Sequence, residues 1–204
     1  MIGILFVAAG SERNREAIEQ VKEDVRLSRL LTKAQIRLEA WPLILKYQPP
    51  ENGNQELGQL EINHRSVASA LEALAAISER VSGLDLKGLH AVNSQLSRAD
   101  LSWGEFVVAN FSGANFTEAN LSNTNLFKAN LRKANLTEAN LSQANLSETI
   151  LGGANLSAAN FMGVFGLTQT QLEGACANSS NLPSLPDGFD LPPPCQDNQD
   201  PENE

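Results

Sequence analysis

The chain has 204 residues, 42% of them hydrophobic and 5% aromatic, with a formal net charge of −9. That length allows one or two domains with a buried core, and the absence of any basic stripe argues against nucleic-acid binding. The acidity is local: residues 1–83 and 84–166 each carry net −1, whereas residues 167–204 carry net −7 and no basic group.

Met1 to Ala9 (MIGILFVAA) is apolar, but falls far short of the roughly 20 residues of a membrane span. No basic residue precedes it, which argues against a signal peptide. Two readings stay open: the buried start of the first helix, or the end of a transmembrane helix that begins upstream. Ser11 to about Leu45 reads as a helix. Ser11 is a candidate N-cap, and Ile18, Val21, Val25, Leu31, Ala34 and Leu38 form an interrupted apolar stripe. Pro42 is expected to kink or end it. Pro-Pro, Asn-Gly and Gly58 make Gln48 to Gly58 a loop, drawn with its flank as 48–62. Ser66 to about Ser82 follows as a second amphipathic helix, with Val67, Leu71, Leu74, Ile77 and Val81 on one face. Residues 1–83 thus form an N-terminal helical segment whose stripes need a partner surface.

From Leu84 to Gly163 one five-residue phrase recurs, clearest in ANFSG, ANFTE, ANLSN, ANLRK, ANLTE, ANLSQ and ANLSE. Five residues advance a helix by about 500°, so successive leucines would wander around it. On a flat strand an odd period sends them alternately to opposite faces. A chain that turns once per phrase winds into a coil and points every phrase centre at the axis. Fifteen of the 16 centres from Leu86 to Phe161 are Leu or Phe, and Ala91 is the exception. Two residues before each centre the side chain is small in 14 of 16 phrases, as a shared interior requires. The residue between them is Asn in ten phrases. Its amide can bond local backbone and it tolerates tight turns, so it is expected at the corners. Coils stacked at about 4.8 Å would pair backbone with backbone.

These phrases resemble the pentapeptide-repeat family, whose pattern is A-(D/N)-L-x-x, over about two fifths of the chain. The resemblance implies an all-β solenoid: a right-handed quadrilateral β-helix with four phrases per coil and about four coils over 84–166. Some members of the family resemble a membrane helix joined through a short helical segment to the repeats, and ILFVAAGSERNREAI is similar to such a junction. The register ends at Val164-Phe165-Gly166, where Gly166 takes the place of a centre. Thr168 and Gln171 then match a capping box. The segment GLTQTQLEGA resembles the helix that often closes these rods, so 167–180 is read as a cap with Leu172 and Cys176 facing inward. Residues 181–204, rich in Pro and acidic groups, are expected to be largely disordered. Cys176 and Cys195 either form a disulfide that pins this tail to the cap or stay as two thiols.

No phosphate loop, nucleophile elbow, carboxylate pair or metal-ligand spacing stands out, and no cofactor, metal or catalytic residue is expected. His64, in the loop, and His90, at an outward corner, read as solvated polar residues. The two residues after each centre point outward and are mostly polar. With four phrases per coil, Val107 and Val108 lie beside Phe127 and Lys128 of the next coil, with Trp103 at the adjoining corner. Trp103, Val107, Val108 and Phe127 form an outward apolar patch, and such patches mark contacts. Either the N-terminal helices cover it, or it receives a protein partner or a second copy. Three functions compete. The first is a non-enzymatic interaction scaffold. The second is a duplex-DNA mimic that inhibits a topoisomerase such as gyrase, as some members of the family do; the near-neutral, short rod argues against it. The third is a membrane-anchored structural protein.

Overall fold

The computed structural model describes residues 26, 33–45, 57–76 and 80–195. The chain divides into two units, Met1–Glu39 and Ala40–Glu204. The readings of Met1–Ala9 and of the helix start at Ser11 lie outside the described residues. Residues 33–45 are helical (α1), so Pro42 does not end the helix where it stands. In the first unit Gln35 Nε2 donates to Glu39 Oε1 at 2.9 Å, one turn on. In the second unit Ala40 and Ile44, four residues apart, are buried.

Helix α2 runs Leu57–Ala76. It begins inside the stretch expected to be loop (48–62), places residue 64 in a helix, and stops before Ser82. Val67, Ala70, Leu71, Leu74 and Ala75 are buried at steps of one and three residues, the stripe of an amphipathic helix. Val81 does not belong to that stripe. It is the first centre of the coil, one phrase earlier than the repeat was legible, and its N–H donates to Asp100 O at 3.1 Å.

The coil returns every 20 residues. Parallel bridges join Arg80 to Asp100, Asp85 to Glu105, His90 to Asn110 and Gln95 to Asn115, and continue in the same register to Asn140 with Asn160. Each of the four sides is a single bridged residue, and among the described residues no longer strand run forms. One phrase allows no more: a turn consumes the two residues after the centre. The donors alternate along the axis. The Leu101 N–H reaches Asn120 O in the next coil, and the Asn120 N–H returns to Ala99 O, both at 2.9 Å.

All 16 centres from Leu86 to Phe161 are at most 2% exposed. Each contributes roughly 1.5–3 kcal/mol of gross burial if Leu or Phe. Three successive phenylalanines line the axis edge to face, Phe106 to Phe111 at 5.4 Å and Phe111 to Phe116 at 5.3 Å. Gly104 makes room for them, because a Cβ there would collide with the Phe106 ring.

The asparagines do not form the corners. They hold the bridged positions on the sides. Asn110 Oδ1 accepts the Ser112 N–H at 3.1 Å, which fixes the entry to the turn. The Nδ2 groups then run between coils: Asn160 donates to Asn140 at 3.1 Å, Asn140 to Asn120 at 3.4 Å, and Asn120 to Asp100 at 3.1 Å. The corners are the two residues after each centre. The second has positive φ throughout, between 55° and 63° at the twelve non-glycine positions of the coil. The first does not, and the centre carbonyl accepts the N–H three residues on, as in Phe106 O from Ala109 at 3.0 Å. That is a type II turn.

Both ends of the coil are covered from within the same unit. On the first coil the Gln95 N–H, pointing away from the stack, is accepted by Glu72 Oε1 of α2 at 2.7 Å. At the other end Gln169–Glu173 forms α3, with Thr168 as N-cap and a complete capping box to Gln171. The same Gln171 side chain donates from Nε2 to Leu146 O at 2.9 Å and Thr149 O at 2.7 Å. Leu172 is buried, whereas Cys176 is half-buried and bridges Asn155. The disorder expected from Asn181 does not hold for 181–195: Ser184 bridges Asn160, and Pro194 bridges Ala177. A Pro-rich segment with few amides can still lend its carbonyls to an edge that needs acceptors.

Candidate functional site

The patch is built on two adjoining corners. Trp103 and Val108 each take the left-handed position of a type II turn, with φ 63° and 59°. That backbone aims both side chains into solvent, and they are 66% and 57% exposed. No described residue covers them. Helix α2 lies instead at the end of the first coil, where Glu72 meets Gln95.

Val107 and Phe127 are half-buried. The coil spacing places Phe127 directly after Val107 in its corner column, and the Val108 N–H donates to Phe127 O at 2.9 Å. The Phe127 N–H donates to Asn125 Oδ1 at 3.3 Å. Lys128 Nζ sits 4.9 Å from the Phe127 ring centroid and 3.5 Å from a Glu148 carboxylate oxygen. The patch is therefore apolar at Trp103, Val107 and Val108 and is bounded by a cation on one side of Phe127.

The titratable groups show structural pairing. The Arg98 fork meets Glu118 twenty residues on, with Nη2 to Oε1 at 2.8 Å and Nε to Oε2 at 3.0 Å. These hydrogen bonds hold the Glu118 carboxyl below its usual range and lift Arg98 above its own. A cleft of about 350 Å³ separates α2 from the first coil, with Arg65 and Glu72 on one wall and His90 and Ser94 on the other. The buried Ser94 hydroxyl has no hydrogen-bond partner among the described residues. His90 bridges Asn110 from a side of the coil, not from a corner. Among the described residues no group of three His, Cys, Asp or Glu side chains is placed to hold a metal ion, and no helix is long and apolar enough to cross a membrane.

The pentapeptide-repeat family model matches residues 94–132, 105–143, 124–163 and 139–176. The chain carries a pentapeptide-repeat domain. The family implies a right-handed β-helix solenoid, and the bridges at 20-residue spacing are its four-phrase coil.

Solved structures similar to this chain include other pentapeptide-repeat proteins. One from the cyanobacterium Cyanothece 51142 is 29% identical over 50% of this chain and 65% of its own, with a TM-score of 0.32. HetL from Nostoc sp. strain PCC 7120, involved in heterocyst differentiation regulation, is 31% identical over 46% and 44%, with a TM-score of 0.21. QnrB1, a plasmid-mediated fluoroquinolone resistance protein, is 20% identical over 57% and 86%, with a TM-score of 0.20. The chain spans less than two thirds of the length of the first two. No curated protein matches the sequence.

The patch has a signal that sequence reading registers, large apolar residues at outward positions. Their left-handed backbone has none, because it follows from the turn type. The cap helix is read from Thr168 and Gln171, but the Asn ladders, the Glu72–Gln95 contact and the Gln171 bonds to Leu146 and Thr149 carry no signal, since each joins residues 20 or more apart.

Proposed function

We propose that the pentapeptide-repeat domain is a non-catalytic scaffold that receives a protein partner on Trp103, Val107, Val108 and Phe127. The observation that carries this reading is the placement of Trp103 and Val108. Both are large, apolar and exposed, at a backbone position that glycine fills at Gly113, Gly153 and Gly163. Left-handed backbone costs a residue with a Cβ roughly 1–2 kcal/mol, and a β-branched one at least as much. Neither burial nor local geometry rewards Val at 108, so a contact made elsewhere is the reason for it.

The test is a pull-down from native lysate with the full chain beside Val107→Glu/Phe127→Glu. A protein retained by the parent and lost by a double variant of unchanged melting temperature supports the reading. Equal capture by both removes the patch from the interaction, and loss of β structure in the variant overturns the outward assignment.

Duplex mimicry fits less well. A duplex of the rod's length, about 20 Å at the strand spacing, carries about 12 negative charges. Residues 84–166 carry six acidic and five basic groups.

A further inference from the structure

The last coil pairs onward with residues that have left the repeat. The N–H groups of Gly153, Leu156, Ala158 and Phe161 donate to the carbonyls of Gly174, Cys176, Asn181 and Ser184 at 2.6 to 2.8 Å. In return the Cys176 N–H reaches Ala154 O at 2.9 Å and the Ser184 N–H reaches Ala159 O at 2.8 Å. Residues 174–184 are thereby laced to the rod on two sides.

Residues 185–195 are attached differently. Their backbone ties are Ala177 N–H to Pro193 O at 2.9 Å, Cys195 N–H to Ala177 O at 3.2 Å, and Asp190 N–H to Gln169 Oε1 at 3.0 Å. Pro192, Pro193 and Pro194 have no amide to donate, so this layer cannot extend its ladder as the coils do. Leu191 is half-exposed and Pro192 supplies a buried contact. The remaining restraint is covalent: Cys176 is joined to Cys195 across a sequence separation of 19. Both cysteines are half-buried rather than sealed in the core.

We propose that this disulfide is a redox-operated latch on the C-terminal layer. A protein dithiol opens it by exchange. Its thiolate attacks one sulfur, the Cys176–Cys195 bond breaks, and a mixed disulfide forms. The second thiol of the reductant then displaces the remaining cysteine. Cys176 and Cys195 together gain two electrons and two protons, and the reductant leaves as a disulfide. Residues 185–195 then lose their covalent tie, while 174–184 keep their hydrogen bonds. The N–H and C=O of Ala177 become an open sheet edge of the kind that pairs with another strand. The oxidised state closes the rod, and the reduced state exposes its end.

Hydrogen exchange read by mass spectrometry on the full chain, oxidised and after dithiothreitol without denaturant, tests this. Alkylation counts the thiols. Two thiols are expected to appear, with the amides of Ala177 and Cys195 exchanging about a hundredfold faster, the entropy of a loop of this size. Ser184 and Phe161 keep their protection, and Cys195→Ser reproduces the reduced pattern. The latch is overturned by any of three results: no thiol released from the folded chain, unchanged protection at Ala177 and Cys195 once both thiols are labelled, or protection lost along Leu136 to Phe161 as well. A Cys195→Ser chain that exchanges like the oxidised parent overturns it too.

Discussion

Val108 holds left-handed backbone with a β-branched side chain that stays more than half exposed. Replacing it with glycine is expected to raise stability by about 1 kcal/mol, because the Cβ penalty disappears. The same change is expected to weaken partner capture. Thermal melting beside the pull-down reads both, and a fall in melting temperature would mean that Val108 packs rather than protrudes. Leu136 is the opposite case, fully buried on the axis. Leu136→Asp exchanges roughly 1.5–3 kcal/mol of burial for an unpaired interior charge, and the rod is expected to lose its cooperative melt. The Leu136 and Val108 environments follow from counting in fives. The role of the asparagines does not. A local reading puts Asn at the bend because Asn tolerates bends, whereas its Nδ2 partner lies 20 residues away.

Among the elements, the short helix α3 is tied to the coil's backbone through the side chain of Gln171. Gln171 completes the capping box with Oε1 and satisfies Leu146 O and Thr149 O with Nε2. Gln171→Ala is expected to cost about 2–3 kcal/mol, a lost cap plus the Thr149 carbonyl left without a donor, while Leu146 O keeps the Thr149 N–H, measured by urea denaturation. At the first coil Glu72→Ala uncovers the Gln95 N–H. Its amide exchange is expected to rise about tenfold while Leu136 stays protected. If Gln95 exchange does not change, α2 does not close that end. The capping box of α3 was legible because Thr168 and Gln171 are three residues apart. The extent of α2 was not. Gly58 reads as a breaker, yet a single Gly costs a helix only about 1 kcal/mol, which packing of Val67, Leu71 and Leu74 outweighs. The ordered 181–195 segment was also illegible, because its pairing depends on the open edge of the last coil.

For the molecule as a whole, charge contributes little to the fold. The Arg98–Glu118 pair lies on the surface, where solvent and salt screen it. The Glu118 value is lowered on folding, so its contribution is present above the ordinary carboxylate range and is lost as pH falls through the lowered value. Glu118→Gln is therefore expected to melt slightly earlier than the parent at neutral pH and low salt. The two are expected to coincide in acid. A difference that persists in acid would trace to packing rather than charge.

The repeat alone dictates the coil. A period of five with Leu or Phe at every centre has one way to bury all its centres, and that constraint is local and repeated. The cap helix and the outward patch were legible as well; which end groups the caps satisfy emerges in the folded chain alone. Those contacts join residues that no short-range pattern connects: Glu72 with Gln95, Gln171 with Thr149, Ala177 with Pro193. Each is an unpaired backbone group finding the partner that the folded chain happens to bring within hydrogen-bond distance.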